Sequence, residues 1–374
     1  MTTESTLTGT CGSGCGCGVS ACGPLAAIRK PAAMQGAITR PDLAIREVRI
    51  AVSYQCNLRC MHCYVPEEHR EQYAKYYPDA LSTDELVSVV TTMAGNFGTK
   101  RISITGGEAL MTPVWPRTER VMQAALESGL KVRLITGGAA QTPISTVLAA
   151  ARRSDDLTFQ VSLDGTDDAM VSKFRGRPYA YQRAVETIGT IAASGSPVFV
   201  RYTITEENYD QTVGCYDMVS ELGAAAFVVK PVFSLGEAAR NANTVHIDES
   251  TVRDLQLRLV EHSRGRRTKL KLPQPCYVGA DELPHDANVE IMYCGCGRNV
   301  AYLAPNGDVY PCTYIVGMQD MSEHRLGNLR DPGFDLAAAW QAEDTYSTFR
   351  NAPKECHCTA NELAKGDEQL VCRP

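Results

Sequence analysis

The sequence predicts an α/β protein, an open, partial (β/α)6 barrel followed by a small C-terminal β-hairpin/helix unit. Three observations lead there. Between residues 45 and 232, six short β-like runs alternate with helical ones, the pattern of a parallel sheet with helices outside it. The first run, Glu47 to Tyr54, opens onto the loop Cys56-Asn57-Leu58-Arg59-Cys60-Met61-His62-Cys63, with its cysteines spaced C-x3-C-x2-C. A second set of cysteines follows residue 290, and two of them, Cys296 and Cys312, bracket a hairpin-like stretch.

Taken in order, residues 1–42 read as a flexible Cys/Gly-rich tail, with Cys11, Cys15, Cys17 and Cys22 among glycines and serines. Such a run has a high ordering entropy and no apolar face; an extra metal site is the alternative. Residues 43–240 form the barrel. Val48, Ile50 and Val52 alternate as its first strand. Ser82-Thr83-Asp84-Glu85 is a capping box that starts a helix over Leu86–Phe97. Further strands fall at 101–105, 131–135, 157–163, 198–205 and 226–232, with helices at 114–129, 143–152, 179–194 and 210–222. Residues 241–290 read as one helix, Asp248–Arg264, and a polar, Pro-containing linker. Residues 291–374 form the last unit.

Composition narrows the function classes. The 374 residues are enough to bury a large core. A net charge of −6 argues against a nucleic-acid partner. No apolar run is long enough to span a bilayer, and the first residues lack a secretory signal, so a cytoplasmic protein is expected. Fifteen cysteines in such a compartment point to metal ligation rather than disulfides.

Three thiolates on one short loop can hold three irons of a four-iron cluster and leave the fourth open to another ligand; a zinc loop is the alternative. In α/β barrels reactive groups gather at the C-terminal ends of strands. There the sequence puts Thr105-Gly106-Gly107-Glu108, Thr136-Gly137-Gly138, Ser162 with Asp164, Arg201 and Lys230. An Arg in an apolar strand needs a partner. The segment Phe174-Arg175-Gly176-Arg177 is expected at the barrel mouth, as a substrate-recognising or simply solvated loop.

With the cysteine loop and the Gly-Gly-Glu run together, the chain resembles the radical S-adenosylmethionine (AdoMet) enzymes, whose core is the same partial, TIM-like barrel. The resemblance implies that Cys56, Cys60 and Cys63 hold a [4Fe-4S] cluster whose open iron takes the amino and carboxylate groups of AdoMet. It implies that Gly106, Gly107 and Glu108 receive the methionine ammonium. Ser162 and Asp164 are candidates for the ribose or the methionine carboxylate, and Arg201 for that carboxylate. Thr136-Gly137-Gly138 would pass near the adenosine.

Val300–Tyr310 is a hairpin with Pro-Asn-Gly-Asp at its turn, which sets Cys296 and Cys312 side by side. The C-x10-G-x4-C arrangement, with Gly307, resembles the opening of the SPASM and twitch extensions of the same enzymes, although their dense later cysteine run is missing. One auxiliary [4Fe-4S] cluster is therefore expected, on Cys296, Cys312, Cys358 and Cys372. Cys356 is an alternative to Cys358, and Cys294 an alternative or supplement to Cys296. A structural zinc is the competing reading. Cys215 reads as core and Cys276 as a bystander.

The chemistry implied is reductive cleavage of AdoMet to a 5′-deoxyadenosyl radical that abstracts a substrate hydrogen atom, fed by a flavodoxin- or ferredoxin-like electron donor. The first reading is a maturase that crosslinks or oxidises a ribosomally made peptide. The second is an oxidase or dehydrogenase of a small molecule such as an aminocyclitol, sugar or nucleoside. A non-catalytic iron–sulfur carrier or redox sensor is the reading of another class.

Overall fold

A computed structural model describes residues 32–151, 154–352 and 358–366. The tail cysteines Cys11 to Cys22, and also Cys356 and Cys372, lie outside the described residues. Strand β1 (Glu47–Ser53) is followed by β2 (Arg101–Gly106), β3 (Lys131–Thr136), β4 (Leu157–Ser162), β5 (Val198–Ile204) and β6 (Ala226–Pro231). Each pairs in parallel with the next. The intervening helices include Thr83–Asn96, Trp115–Glu127, Ala180–Ala193 and Thr212–Glu221. The first of these is capped as expected, with Ser82 Oγ accepting from the Glu85 amide and Glu85 Oε2 from the Ser82 amide.

The stretch expected to be a linker is part of the sheet. After the helix Glu249–His262 come β7 (Lys269–Pro273) and β8 (Val289–Met292), both parallel to their neighbours. Lysines mask the β7 signal: Leu270 and Leu272 are fully buried, and Lys269 and Lys271 alternate with them. This is ordinary period-2 strand patterning.

The hairpin forms as expected, from β9 (Val300–Leu303) and β10 (Asp308–Tyr310), with β11 (Gly327–Asn328) beside it. It is not a separate layer. β9 pairs in parallel with β1, Glu47 opposite Val300, so one eleven-stranded sheet runs from β11 to β8. The buried Tyr54 and Tyr302 hydroxyls meet at 2.5 Å across that junction. Trp340 of the helix Leu336–Gln341 donates its indole N–H to Leu43 O at 2.9 Å, tying the C-terminal part to the segment before β1.

Parallel strands covered on both faces read as continuous apolar runs. Here the outward residues do: Val48, Ile50, Ile102, Ile104, Val132, Leu134 and Phe159 are at most 1% exposed. The alternating inward residues Glu47, Arg49, Arg133, Gln160 and Arg201 are polar, because the inner face of the sheet lines a cavity.

Candidate iron–sulfur and ligand-binding site

The cavity holds about 300 Å³, at the small end of ligand pockets. Cys56, Cys60 and Cys63 line one side of it, and Cys294, Cys296, Cys312 and Cys358 line another. All seven thiols are free. Burial raises Cys63 to about 11 and Cys358 to about 12. Neutral thiols this deep need a cation to become thiolates, so the chemistry of the donor set fits iron. Among the described residues no three His, Cys, Asp or Glu side chains close on a single ion. A cluster distributes its thiolates over several irons, so its ligands need no common point.

The first cysteine loop is clamped from outside. Arg59 N–H donates to Arg175 O at 2.9 Å and Met61 N–H to Phe174 O at 3.1 Å. The Arg177 guanidinium donates to Asn57 O at 3.1 Å. His62 stacks on Phe174, with ring centroids 4.4 Å apart. Arg175 reaches Cys60 Sγ at 3.6 Å and pairs with Asp164. Gly176, at φ 68°, lies so close that a Cβ would stand 2.6 Å from Arg59 O. The Phe174–Arg177 segment, expected as a substrate-recognising or solvated loop, is thus the end of a helix, Asp168–Arg175, that grips the loop. Asp164, considered for a ribose, is fully buried. Its Oδ1 accepts from Thr203 N at 2.8 Å and its other side is taken by Arg175.

Gly106 and Gly107 end β2 against β1. A Cβ on Gly106 would meet Ser53 O at 2.0 Å, and one on Gly107 would meet Gln55 O at 2.2 Å. Their need for glycine is this backbone contact. Glu108 is 1% exposed, and burial pushes its carboxyl pKa up. Its Oε1 accepts from the Leu110 amide (3.0 Å) and the Thr136 hydroxyl (2.8 Å), and its Oε2 from the Gly137 amide (2.8 Å). A carboxylate has about four acceptor sites, so one is left for a ligand.

Ser162 and Arg201 are register partners on β4 and β5, and both face the cavity. Arg201 Nη2 donates to Tyr314 Oη at 2.9 Å. Arg49 and Glu47 of β1 pair at 3.1 Å. Burial works against the Glu47 charge, yet Arg49 and Arg133 hold its pKa at about 2. Arg49, Arg133 and Gln160 escaped sequence reasoning. Their signal was present: polar residues at every second position of otherwise apolar strands.

In the second set, Cys296 bridges to Val300 at the hairpin base, and Cys312 Sγ accepts from the Tyr314 amide at 3.4 Å. Cys358 begins the helix Thr359–Ala364. Cys294 lines the cavity beside the expected Cys296, Cys312 and Cys358, while the fourth expected ligand, Cys372, lies outside the described residues. Cys215 is buried in its helix, and Cys276 Sγ lies 3.5 Å from Val278 O; neither lines the cavity.

Comparison with known proteins agrees with this layout. The radical SAM superfamily pattern matches residues 50–219, and that of SPASM, an iron–sulfur cluster-binding domain, matches residues 294–360. The chain is 25% identical over 257 residues to the sporulation killing factor maturation protein SkfB of Bacillus subtilis, covering 69% of this chain and 57% of that protein. It thus spans little more than half of that relative's length. It is 25% identical over 312 residues to an AdoMet-dependent heme synthase of Nitratidesulfovibrio vulgaris, covering 80% and 79%. It is 26% identical over 312 residues to the mycofactocin maturase MftC of Mycobacterium tuberculosis, covering 82% and 73%. Streptococcus suis SuiB bound to S-adenosylmethionine shares the fold, with TM-score 0.67, 18% identity and coverage of 89% and 78%.

Proposed function

The chain belongs to the radical SAM superfamily and carries a C-terminal SPASM-type iron–sulfur domain, and we propose that it is a maturase of a ribosomally made peptide. One observation carries the reading: two sets of free thiols, one from a single loop and one from three chain segments, face the same cavity. Relatives named as peptide maturases, SkfB and MftC, give the substrate class.

In this proposal Cys56, Cys60 and Cys63 hold the AdoMet-binding [4Fe-4S] cluster, and Cys294, Cys296, Cys312 and Cys358 hold an auxiliary one. When bound, the first cluster and AdoMet supply a 5′-deoxyadenosyl radical able to take a hydrogen atom from an unactivated C–H bond. The chain's own residues position and protect. The remaining acceptor site of Glu108 receives the AdoMet ammonium. Ser162 and the free edge of the Arg201 guanidinium receive its carboxylate. The clamp of Phe174, Arg175 and Arg177 keeps the cysteine loop in one conformation.

The experiment is anaerobic reconstitution followed by reduction with dithionite in the presence of AdoMet. Formation of 5′-deoxyadenosine supports the enzyme and excludes a carrier or redox sensor. Peptides encoded beside the gene, incubated with the reduced enzyme, lose two hydrogens by mass spectrometry if the maturase reading holds. Unchanged peptides together with an oxidised small molecule in the same mixture would favour the oxidase reading, which the similarity to heme synthases supports.

A further inference from the structure

The cavity walls carry seven cationic side chains, of which Arg49, Arg175 and Lys271 are paired with Glu47, Asp164 and Glu290. Arg70 is spent on the carbonyls of Leu58 and Val65. Arg133 holds Glu47 ionised from a distance and keeps a buried Nε without a partner among the described residues. Arg201 and Lys230 also have no carboxylate within ion-pair distance among the described residues, and they meet at one phenol. Lys230 is only 4% exposed. Its ammonium sits 3.3 Å from the Phe233 ring centroid and 4.1 Å from that of Tyr314, an aromatic cage that holds a cation without neutralising it.

The hydrogen bonds lack an acceptor in the same place. Tyr314 Oη accepts from Lys230 Nζ at 2.5 Å and from Arg201 Nη2 at 2.9 Å. Neither donor can accept in return. The phenol proton, the remaining ammonium protons and the rest of the guanidinium therefore have no acceptor among the described residues. Burial pushes the Lys230 pKa well down, so the cage by itself does not favour the charge, and the bond from Tyr314 to Cys312 Sγ is made by its amide, not its phenol.

We propose that Lys230 and Tyr314 form a carboxylate-binding subsite for the substrate, so that the modified peptide presents an acidic side chain beside the reacting position. Arg201 links this subsite to the AdoMet side of the cavity, since its Nη2 donates to Tyr314 while its other edge is free. The inference rests on the cavity being the place where substrate reacts.

The test uses the anaerobically reconstituted holoprotein with AdoMet bound. Two probes, N-acetyl-Ala-Glu-Ala-amide and N-acetyl-Ala-Gln-Ala-amide, are titrated by calorimetry into wild type, Lys230→Met, Tyr314→Phe and Lys230→Arg. The acidic probe is expected to bind the wild type about ten- to a hundredfold tighter than the neutral one, the range charge-assisted hydrogen bonds provide. Lys230→Met and Tyr314→Phe lose that preference, and Lys230→Arg recovers part of it, while AdoMet affinity and iron content stay at wild-type values. Equal binding of the two probes, or no binding of either, overturns the proposal. So does a parallel fall in AdoMet affinity, which would assign the cradle to the AdoMet carboxylate. Loss of iron in Lys230→Met overturns it in favour of a counter-charge for the auxiliary cysteines. Formation of 5′-deoxyadenosine by the reduced wild type is scored separately. If it forms and the acidic preference is absent, the subsite fails and the enzyme reading stands; if it never forms, that reading fails.

Discussion

The two cysteine sets are built in opposite ways. Cys56, Cys60 and Cys63 come from one eight-residue loop, so their spacing is set locally, and tertiary contacts only hold the loop still. Cys294 with Cys296, Cys312 and Cys358 come from three segments, brought together by a hairpin turn and a returning helix. A local set tolerates errors elsewhere in the fold, whereas an assembled set depends on the sheet that carries it. The parallel pairing of β9 with β1 is what puts the second set in the cavity of the first.

Removing thiolates sharpens this contrast most. Replacing Cys56, Cys60 and Cys63 by alanine is expected to lower iron from about eight to about four per chain and to abolish 5′-deoxyadenosine. Cys312→Ala is expected to lower iron while AdoMet cleavage persists. Iron analysis and chromatography check both, and loss of clearly more than about four irons from either variant would mean that the sets are not independent.

The clamp on the first loop is next in size. Arg175→Met leaves Asp164 buried without its partner, at a cost of about 3–5 kcal/mol, read from denaturant unfolding. Adding Asp164→Asn recovers part of the loss if the pair is the cause. Gly176→Ala forces a Cβ onto Arg59 O at a positive φ, for about 1–3 kcal/mol. Chelators then strip iron faster from the first site than from the second. Equal stripping rates would show that the clamp does not act on the loop.

The smallest effect lies at the seam between the regions. Arg330 pairs with Glu85 at 2.7 Å and donates to Asp79 O at 2.6 Å, joining the segment after β11 to the start of a barrel helix. The hydrogen bond from Arg330, against some burial, holds the Glu85 carboxyl at about 2. A carboxyl depressed on folding stabilises the protein above its ordinary pKa of 4.5, and that contribution disappears as pH falls toward 2. Both groups are more than a third exposed, so Arg330→Ala costs at most about 1 kcal/mol. The difference from wild type should shrink between pH 5 and 3 in thermal melts; a constant difference would assign it to packing.

Much of this was readable in one dimension. The six β/α units, the capping box at Ser82, the hairpin turn at Gly307 and the C-x3-C-x2-C loop depend on near neighbours, whose chemistry is written in order along the chain. β7 was hidden because its two buried leucines alternate with lysines, which resembles a solvated linker until the cavity side is known. The roles of Arg175 and Asp164 were misplaced for a related reason. A basic loop and a strand-end carboxylate look free in sequence, and only folding buries them against each other.

The residues alone established a (β/α) barrel with a three-thiolate loop at the end of its first strand, because periodicity and short-range spacing survive without a fold. Tertiary structure decided which cations keep a partner. Arg49, Arg175 and Lys271 meet carboxylates, while Lys230 and Arg201 meet a phenol. Charge pairing acts across strands far apart in the chain, and a sequence lists charges without saying which of them face one another.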